Sequence, residues 1–214
     1  GGISSALNAA LERATGRYVG MLDHDDLLDR RCIDTFSRVV EANAFPDAVY
    51  SDEDKVDARG QHFELYCKPD YSPELLLTQM YLCHFTIFTR EQVVAVGGLR
   101  SGTDGAQDFD LALRLLPLLS RVVHIPRPLY HWRAWSESTA LTIDAKPWAQ
   151  EAAARVQQDH VDREFGGGSV APSRVPGLNE VHPRVQGDPL VSVIIPTVGT
   201  VNVEGTSRFI DDAV

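Results

Sequence analysis

The amino-acid sequence predicts an α/β fold, a sheet with helices layered against it. Short apolar runs alternate with longer stretches whose apolar positions recur at helical spacing, the pattern of strands interleaved with helices. Two of the short runs end abruptly in acidic clusters, Asp23-His24-Asp25-Asp26 and Ser51-Asp52-Glu53-Asp54. In an open α/β sheet that is where ligands sit, beyond the carboxyl ends of the strands. Finally, Leu190-Val191-Ser192-Val193-Ile194-Ile195-Pro196-Thr197 is a continuous buried-strand run of the parallel-sheet type.

The elements follow in chain order. Residues 3–14 place Ile3, Leu7, Ala10, Leu11 and Ala14 at helical spacing, with Gly16 as the stop. Residues 17–22 read as a short buried strand running into the first acidic cluster. A helix over 28–42 gathers Ile33, Phe36 and Val40 on one face. Ala48-Val49-Tyr50 is a second strand, running into the second cluster. Pro73 opens a short helix to residue 79, because a first turn leaves the N–H that proline lacks unbonded anyway. Residues 84–89 read as a strand and 91–96 as a helix that Gly97-Gly98 stops. A glycine-rich loop over 98–105 leads into a helix from near Gln107, broken at Pro117. Residues 121–125 and 129–132 are two short extended segments separated by prolines, and 146–164 is a long, mostly polar helix. Gly166-Gly167-Gly168 with Pro172, Pro176, Pro183 and Pro189 marks a linker. The expected division is one domain over 1–165, a linker over 166–189, and the first strand and start of a second domain over 190–214.

Composition narrows the function. Of 214 residues 43% are apolar and 23% charged, ordinary for a chain with a real core. Acidic residues outnumber basic ones 30 to 20, a formal net charge of −10, and the basic residues are scattered. A protein that grips nucleic acid through its phosphates shows the opposite balance. An acidic protein still handles a phosphorylated small molecule where a metal ion screens the repulsion. No run reaches the roughly 18 apolar residues of a membrane helix; the longest candidate, 75–88, is broken by Thr78, Gln79 and His84. The opening Gly1-Gly2-Ile3-Ser4-Ser5 has neither an initiator Met nor a basic signal-peptide region, and reads as the interior of a longer chain. Cys32, Cys67 and Cys83 are odd in number and lack metal-ligand spacing, so they read as reduced thiols of a cytosolic protein.

Three constellations bear chemistry. Asp23-His24-Asp25-Asp26 crowds three carboxylates that repel one another unless a cation is shared, and oxygen-only ligands select Mg²⁺ or Mn²⁺. An exposed strand end whose aspartate caps the next helix accounts for the same residues. In Gly105-Ala106-Gln107-Asp108-Phe109-Asp110, Asp108 could act as a general base while Asp110 favours the helix dipole. Leu129-Tyr130-His131-Trp132-Arg133 combines a metal ligand, a stacking ring and a fixed cation, each of which also serves as plain packing. Asp52, Glu53 and Asp54 read as a solvated strand-end loop, with a place on the acceptor side as the alternative, and His62, His84, His124, His160 and His182 as ordinary surface or core residues.

Taken in order, the strand with Asp23-His24-Asp25-Asp26, the glycine-rich loop, Gln107-Asp108-Phe109-Asp110-Leu111 and Tyr130-His131-Trp132-Arg133 resemble the family 2 glycosyltransferases of GT-A fold. Tyr50-Ser51-Asp52-Glu53-Asp54-Lys55, Lys68-Pro69-Asp70-Tyr71-Ser72-Pro73-Glu74-Leu75-Leu76-Leu77 and Val96-Gly97-Gly98-Leu99-Arg100 are similar to segments of the bacterial branch that builds cell-surface polysaccharides, its rhamnosyltransferase-like proteins above all. The resemblance spans residues 1–165, and 190–197 is similar to the strand with which domains of this family begin. It implies a Rossmann-like mixed sheet flanked by helices, incomplete at its N-terminus, in a tandem protein. The departures are an opening strand and a base-contacting Asp expected before Gly1, Val198-Gly199 where relatives often carry Tyr-Asn or Arg-Asp, Gln107 where many carry Glu, and no processive Gln-x-x-Arg-Trp signature.

The resemblance implies a cytoplasmic, metal-dependent, inverting enzyme of polysaccharide assembly, with peripheral association at the inner face of the plasma membrane allowed. It would move a sugar from a nucleotide-diphosphate donor to a glycan or lipid-linked acceptor. Asp23, Asp25 and Asp26 would hold the nucleotide and Mg²⁺ or Mn²⁺, Asp25 as direct ligand and His131 completing the metal shell. Arg133 would reach the diphosphate, Trp132 would cover the site, and Gly98 and Asn8 would line the donor pocket, although a solvent-facing helix Asn is the plainer role for residue 8. Asp108 would take the acceptor proton opposite the leaving group, which gives inversion. Without the strand beneath the base, the segment alone is expected to bind donor poorly and turn over nothing. Two rivals stay open: a catalytically silent scaffold, and a phosphatase with Asp23 as nucleophile. The phosphatase would need Thr or Val where Leu27 stands, and a lysine from among Lys55, Lys68 and Lys146.

Overall fold

The computed structural model describes residues 2–134, 147–175 and 177–194. The chain divides into two units, Gly1–Arg184 and Val185–Val214. The first contains α1 (Ile3–Arg13), β1 (Tyr18–Gly20), β2 (Leu27–Leu28), α2 (Cys32–Ala42), β3 (Ala48–Val56), β4 (His62–Tyr66), α3 (Pro73–Thr78), β5 (Thr86–Thr89), α4 (Arg90–Ala95), α5 (Gln107–Leu115) with a 3₁₀ turn at Leu116–Leu118, β6 (Val122–Arg133), α6 (Pro147–Phe165), β7 (Gly168–Pro172) and β8 (Asn179–Pro183).

The main sheet is mixed, in the order β1-β5-β3-β6-β2, with β4 paired to the far half of β3. β3 and β6 run parallel and form its spine; the other pairs are antiparallel. Side chains of β3 alternate between its two sides. Ala48 and Tyr50 enter a core with Leu76, Phe88, Phe109, Leu113 and, from α6, Val156. Val49 enters a second core with Cys32, Phe36 and Val40 of α2 and with Phe85, Ile125 and Tyr130. The sheet is therefore covered on both sides, as the α/β expectation requires.

Local chemistry sets the helix boundaries. Ser72 caps α3 by accepting from Leu75 N at 3.1 Å, with Pro73 next to it. Asp104 secures the start of α1, accepting from Ser4 Oγ at 2.7 Å and Ser4 N at 3.2 Å. That helix ends with an extended Ala14 (φ −67°, ψ 132°), so Gly16 is not needed as a left-handed stop. α2 begins only at Cys32, because Leu27 and Leu28 pair with His131 and Tyr130 as β2. β1 is an edge strand and only partly buried.

Three further expectations are corrected. Asp52, Glu53 and Asp54 do not form a solvated loop: they lie inside β3 at 4%, 8% and 8% exposure. The segments 121–125 and 129–132 are one strand, β6, whose prolines fall where its pairing with β3 slips; there the missing N–H groups break no ladder bond. Most of the linker expected over 166–189 is the β7–β8 hairpin, held to α6 by Val170 N donating to Gln158 Oε1 at 3.1 Å and Asn179 Nδ2 donating to Gln157 Oε1. In the second unit, residues 185–194 are exposed and outside any helix or strand. Of the strand expected over 190–197, residues 190–194 lie outside any strand among the described residues, and 195–197 fall outside them. Among the described residues no helix is long and apolar enough to cross a membrane.

Candidate functional site

The loop from β1 to β2 holds the first acidic cluster, and its conformation follows from Asp26. That side chain is pinned to β6: Oδ2 accepts from the Tyr130 hydroxyl and Oδ1 from Arg133 N at 2.9 Å. Burial holds the Asp26 carboxyl above its ordinary value despite these two donors. Burial and the neighbouring Asp26 likewise push the Tyr130 hydroxyl up, so it stays a donor. With Asp26 anchored, Asp23 and Asp25 face outward, their side chains 62% and 50% exposed. Each has one histidine nitrogen beside it, His84 Nε2 at 3.9 Å from Asp23 and His24 Nδ1 at 3.8 Å from Asp25. Both carboxylates thus have oxygens to offer, although among the described residues Asp23, Asp25 and Asp26 do not make a set of three ligand atoms within 4.8 Å of one another. Asp26, with both oxygens engaged, serves to orient the loop.

Asp108, in the first turn of α5, lines a cavity of about 60 Å³ together with Asp23, Cys83, His84 and Gln107. The expected base and one expected donor ligand thus meet, although 84 positions separate them in the chain. Gln107 Oε1 accepts from Gly105 N at 2.7 Å, which ties the loop to the helix start. Asp110 is 2% exposed and accepts from both Arg100 and Arg114; Arg114 in turn donates to Val96 O and Gly98 O at 2.7 and 2.6 Å. Of the two aspartates, Asp110 builds the loop and Asp108 faces the cavity. The Cys83 thiol donates to Met80 O at 2.7 Å, and burial pushes its pKa well up, so it is no nucleophile.

Sequence reasoning missed His84. Its ring stacks on Tyr130 (4.7 Å between centroids, 20° between planes) and leans on Trp132 at 5.5 Å. Its main chain is held by Glu53 and Lys68: His84 N donates to Glu53 Oε2 at 3.0 Å, and Lys68 Nζ donates to Glu53 Oε2 at 2.9 Å and to His84 O. The neighbouring acids have their own partners, Asp52 accepting from Lys68 N and paired with His124 Nε2 at 2.8 Å. The available signal was the two-residue period of Asp52 and Asp54 around Glu53, once the segment is taken as a strand.

Three expected site residues have other tasks. Asn8 Oδ1 accepts from Leu99 N at 2.9 Å and Asn8 Nδ2 donates to Leu99 O at 2.8 Å, so its amide clamps the glycine loop onto α1. Gly98 has φ +66°, and a Cβ there would stand 2.5 Å from Asn8 Oδ1, so glycine serves packing at that position. His131 turns away from the Asp23–Asp26 loop. Tyr130 and Trp132 on either side of it point to His84, and alternation along β6 sends residue 131 the other way. Its Nδ1 lies 2.6 Å from Asp54 Oδ1, while Asp54 Oδ2 is 3.0 Å from His62 Nδ1. Among the described residues, Asp54, His62 and His131 are the set whose ligand atoms all come within 4.8 Å; Asp25 and His131 do not form one. Trp132 Nε1 is buried without a hydrogen-bond partner among the described residues, and Arg133 contributes its main-chain N–H to Asp26.

Residues 1–95 match Glycosyl transferase family 2. Over 206 residues the chain is 37% identical to uncharacterized protein y4gI of Sinorhizobium fredii, covering 95% of this chain and 23% of that protein. Over 196 residues it is 36% identical to O-antigen biosynthesis protein RfbC of Myxococcus xanthus, covering 92% and 15%. The structure of S. aureus TarS 1-349 in complex with UDP superposes with a TM-score of 0.54 at 12% identity, covering 75% of this chain and 45% of that one, a likeness of fold. The chain spans less than a quarter of the length of the two curated relatives.

Proposed function

The chain belongs to glycosyl transferase family 2, and on that premise we propose that it transfers a sugar from a nucleotide-diphosphate donor to a glycan or lipid-linked acceptor, with inversion at the anomeric carbon. The single observation that carries this reading is the cavity shared by Asp23 and Asp108. On one side stands Asp23, on the other Asp108; Asp25, two residues along the loop from Asp23, does not line the cavity.

Asp25, with Asp23 beside it, would hold a divalent Mg²⁺ or Mn²⁺ ion, whose contribution is to neutralise charge on the departing diphosphate. Asp26 orients both by fastening their loop to Tyr130 and Arg133. His84, fixed by the Glu53–Lys68 pair and by stacking on Tyr130, presents Nε2 to Asp23 and limits where that carboxylate can turn. Asp108 accepts the acceptor hydroxyl's proton on Oδ2, while its Oδ1 accepts from Phe109 N at 2.8 Å. With Asp23 given to the donor side, Asp108 as the single base would support direct displacement and inversion, by the stereochemical logic of glycosidases. Trp132, whose indole N–H has no partner among the described residues, covers the donor side beside His84.

The O-antigen biosynthesis name of the Myxococcus relative supports a cell-surface polysaccharide as product. Of the lysines open to the phosphatase rival, Lys68 is spent on Glu53 and two carbonyls and Lys55 on Glu64, while Lys146 lies outside the described residues.

The test is release of nucleoside diphosphate from a panel of sugar nucleotides by the full open reading frame, with Mn²⁺ or EDTA. Donor-dependent release that EDTA and Asp108→Asn both abolish is the expected result. Release unaffected by Asp108→Asn, or by EDTA, overturns the assignment.

A further inference from the structure

We infer that Asp54, His62 and His131 form a second cation site, for a borderline divalent metal of the zinc class, distinct from the Asp23–Asp25 loop. One ligand comes from each of three neighbouring strands: Asp54 from β3, His62 from β4 and His131 from β6. Asp54 and His131 are register partners in the parallel spine, so their spacing is set by the sheet and not by a loop. Asp54 and His131 are each 8% exposed, His62 is open to solvent, and the two imidazoles meet edge to face at 4.6 Å.

The dimensions suit a metal. Both imidazoles contact the Asp54 carboxylate, at 2.6 and 3.0 Å, and all three donors lie within 4.8 Å of one another. With metal–ligand bonds of about 2.1 Å, tetrahedral donors stand ~3.4 Å apart, so small side-chain rotations admit an ion. Two imidazoles and one carboxylate favour zinc-class ions over Mg²⁺, which prefers oxygen. Three protein ligands leave a fourth position open. It faces a groove of about 930 Å³ whose walls include Arg30, Arg31 and Arg127, so the complementary fourth ligand is an oxyanion such as phosphate or hydroxide. Asp23 and Asp108 line a different cavity.

The experiment is calorimetric titration of the EDTA-stripped 214-residue chain with Zn²⁺ alone, paired with Co²⁺ absorption spectroscopy. One equivalent of Zn²⁺ is expected to bind, and Co²⁺ is expected to give the visible band of a nitrogen-ligated ion. His62→Ala, at a side chain outside both cores, should leave the melting temperature of the stripped protein unchanged. Loss of that ligand should weaken Zn²⁺ by at least ~10-fold, and remove the Co²⁺ band, as even outer-shell changes can cost that much. Asp25→Asn should leave both signals in place. Absence of Zn²⁺ binding, binding indifferent to His62→Ala, or binding lost in Asp25→Asn overturns the inference. None of these results depends on sugar transfer, which the release assay tests separately.

Discussion

The ammonium of Lys68 lies 2.9 Å from the Glu53 carboxylate with its side chain entirely buried, and the same nitrogen donates to the carbonyls of Leu82 and His84. This pair joins the spine of the sheet to the segment that presents His84 to Asp23. Removing one partner strands a charge where water cannot reach it. Lys68→Met should therefore cost about 3–5 kcal/mol in urea unfolding. The double variant with Glu53→Gln should recover part of that loss, because no buried charge remains. A single variant as stable as the wild type would refute the pairing.

Asp108 and Asp110 sit two positions apart yet should fail in different ways. Asp108→Asn is expected to lower sugar transfer by ~10²–10⁴-fold, the span of a lost general base, with an unchanged melting temperature. Asp110→Ala leaves the buried Arg114 without a carboxylate and Arg100 with only the exposed Asp159, and should cost about 3–5 kcal/mol of stability. Nucleoside diphosphate release and thermal unfolding, measured on both variants, separate the two roles.

Asn8→Ala removes two hydrogen bonds to the Leu99 peptide and should destabilise by about 1–3 kcal/mol, at 0.5–1.5 for each bond. Gly98→Ala should be worse in the presence of Asn8 than in its absence, since its Cβ meets the Asn8 amide oxygen. The double variant should then retain chiefly the cost of a left-handed alanine, about 1–2 kcal/mol. Denaturation of the two single variants and the double variant forms a cycle that reads the contact directly.

Acidification should weaken the fold through His160 on α6. Burial, followed by the nearby Arg163, holds this imidazole below its ordinary value of 6.5. Between that depressed value and 6.5 the unfolded chain binds a proton that the folded chain refuses, so stability falls as the pH drops through this window. Asp26 acts in the opposite sense: its raised pKa means stability falls as the pH climbs past the usual carboxylate value. Melting curves from about pH 8 to about pH 5 should show the midpoint declining toward acid, and His160→Gln should flatten that decline.

Where local pattern decides structure, the sequence could be read directly. α1, α3, α4, α5 and α6 follow from spacing, a serine cap, prolines at first turns and glycine stops, and the 23–26 cluster falls, as expected, after a strand. What escaped reading depends on pairing across the sheet. An acidic run reads as solvent-facing until Lys68, His124, His62 and His131 are known to lie opposite it. β6 reads as two pieces because its prolines forbid a ladder bond, which the slipped register makes unnecessary. His131 was assigned to Asp25 because a motif states which residue types are present but not to which side a strand turns them. The β7–β8 hairpin hid behind glycines and prolines, which punctuate a tight hairpin as readily as a linker.

The slip in register between β3 and β6 ties two distant groups of residues to one length of chain. Two steps along β3, from Ser51 to Glu53, are matched by five along β6, from Ile125 to Tyr130. Deleting a single residue from that surplus would set His131 opposite Glu53 and Trp132 opposite Asp54, exchanging the sides to which they turn. The aspartate loop would lose its phenolic anchor in the same event that deprived Asp54 of its imidazole. A single deletion in this stretch would thus disturb both groups together, whereas a point substitution in either leaves the register of the other intact.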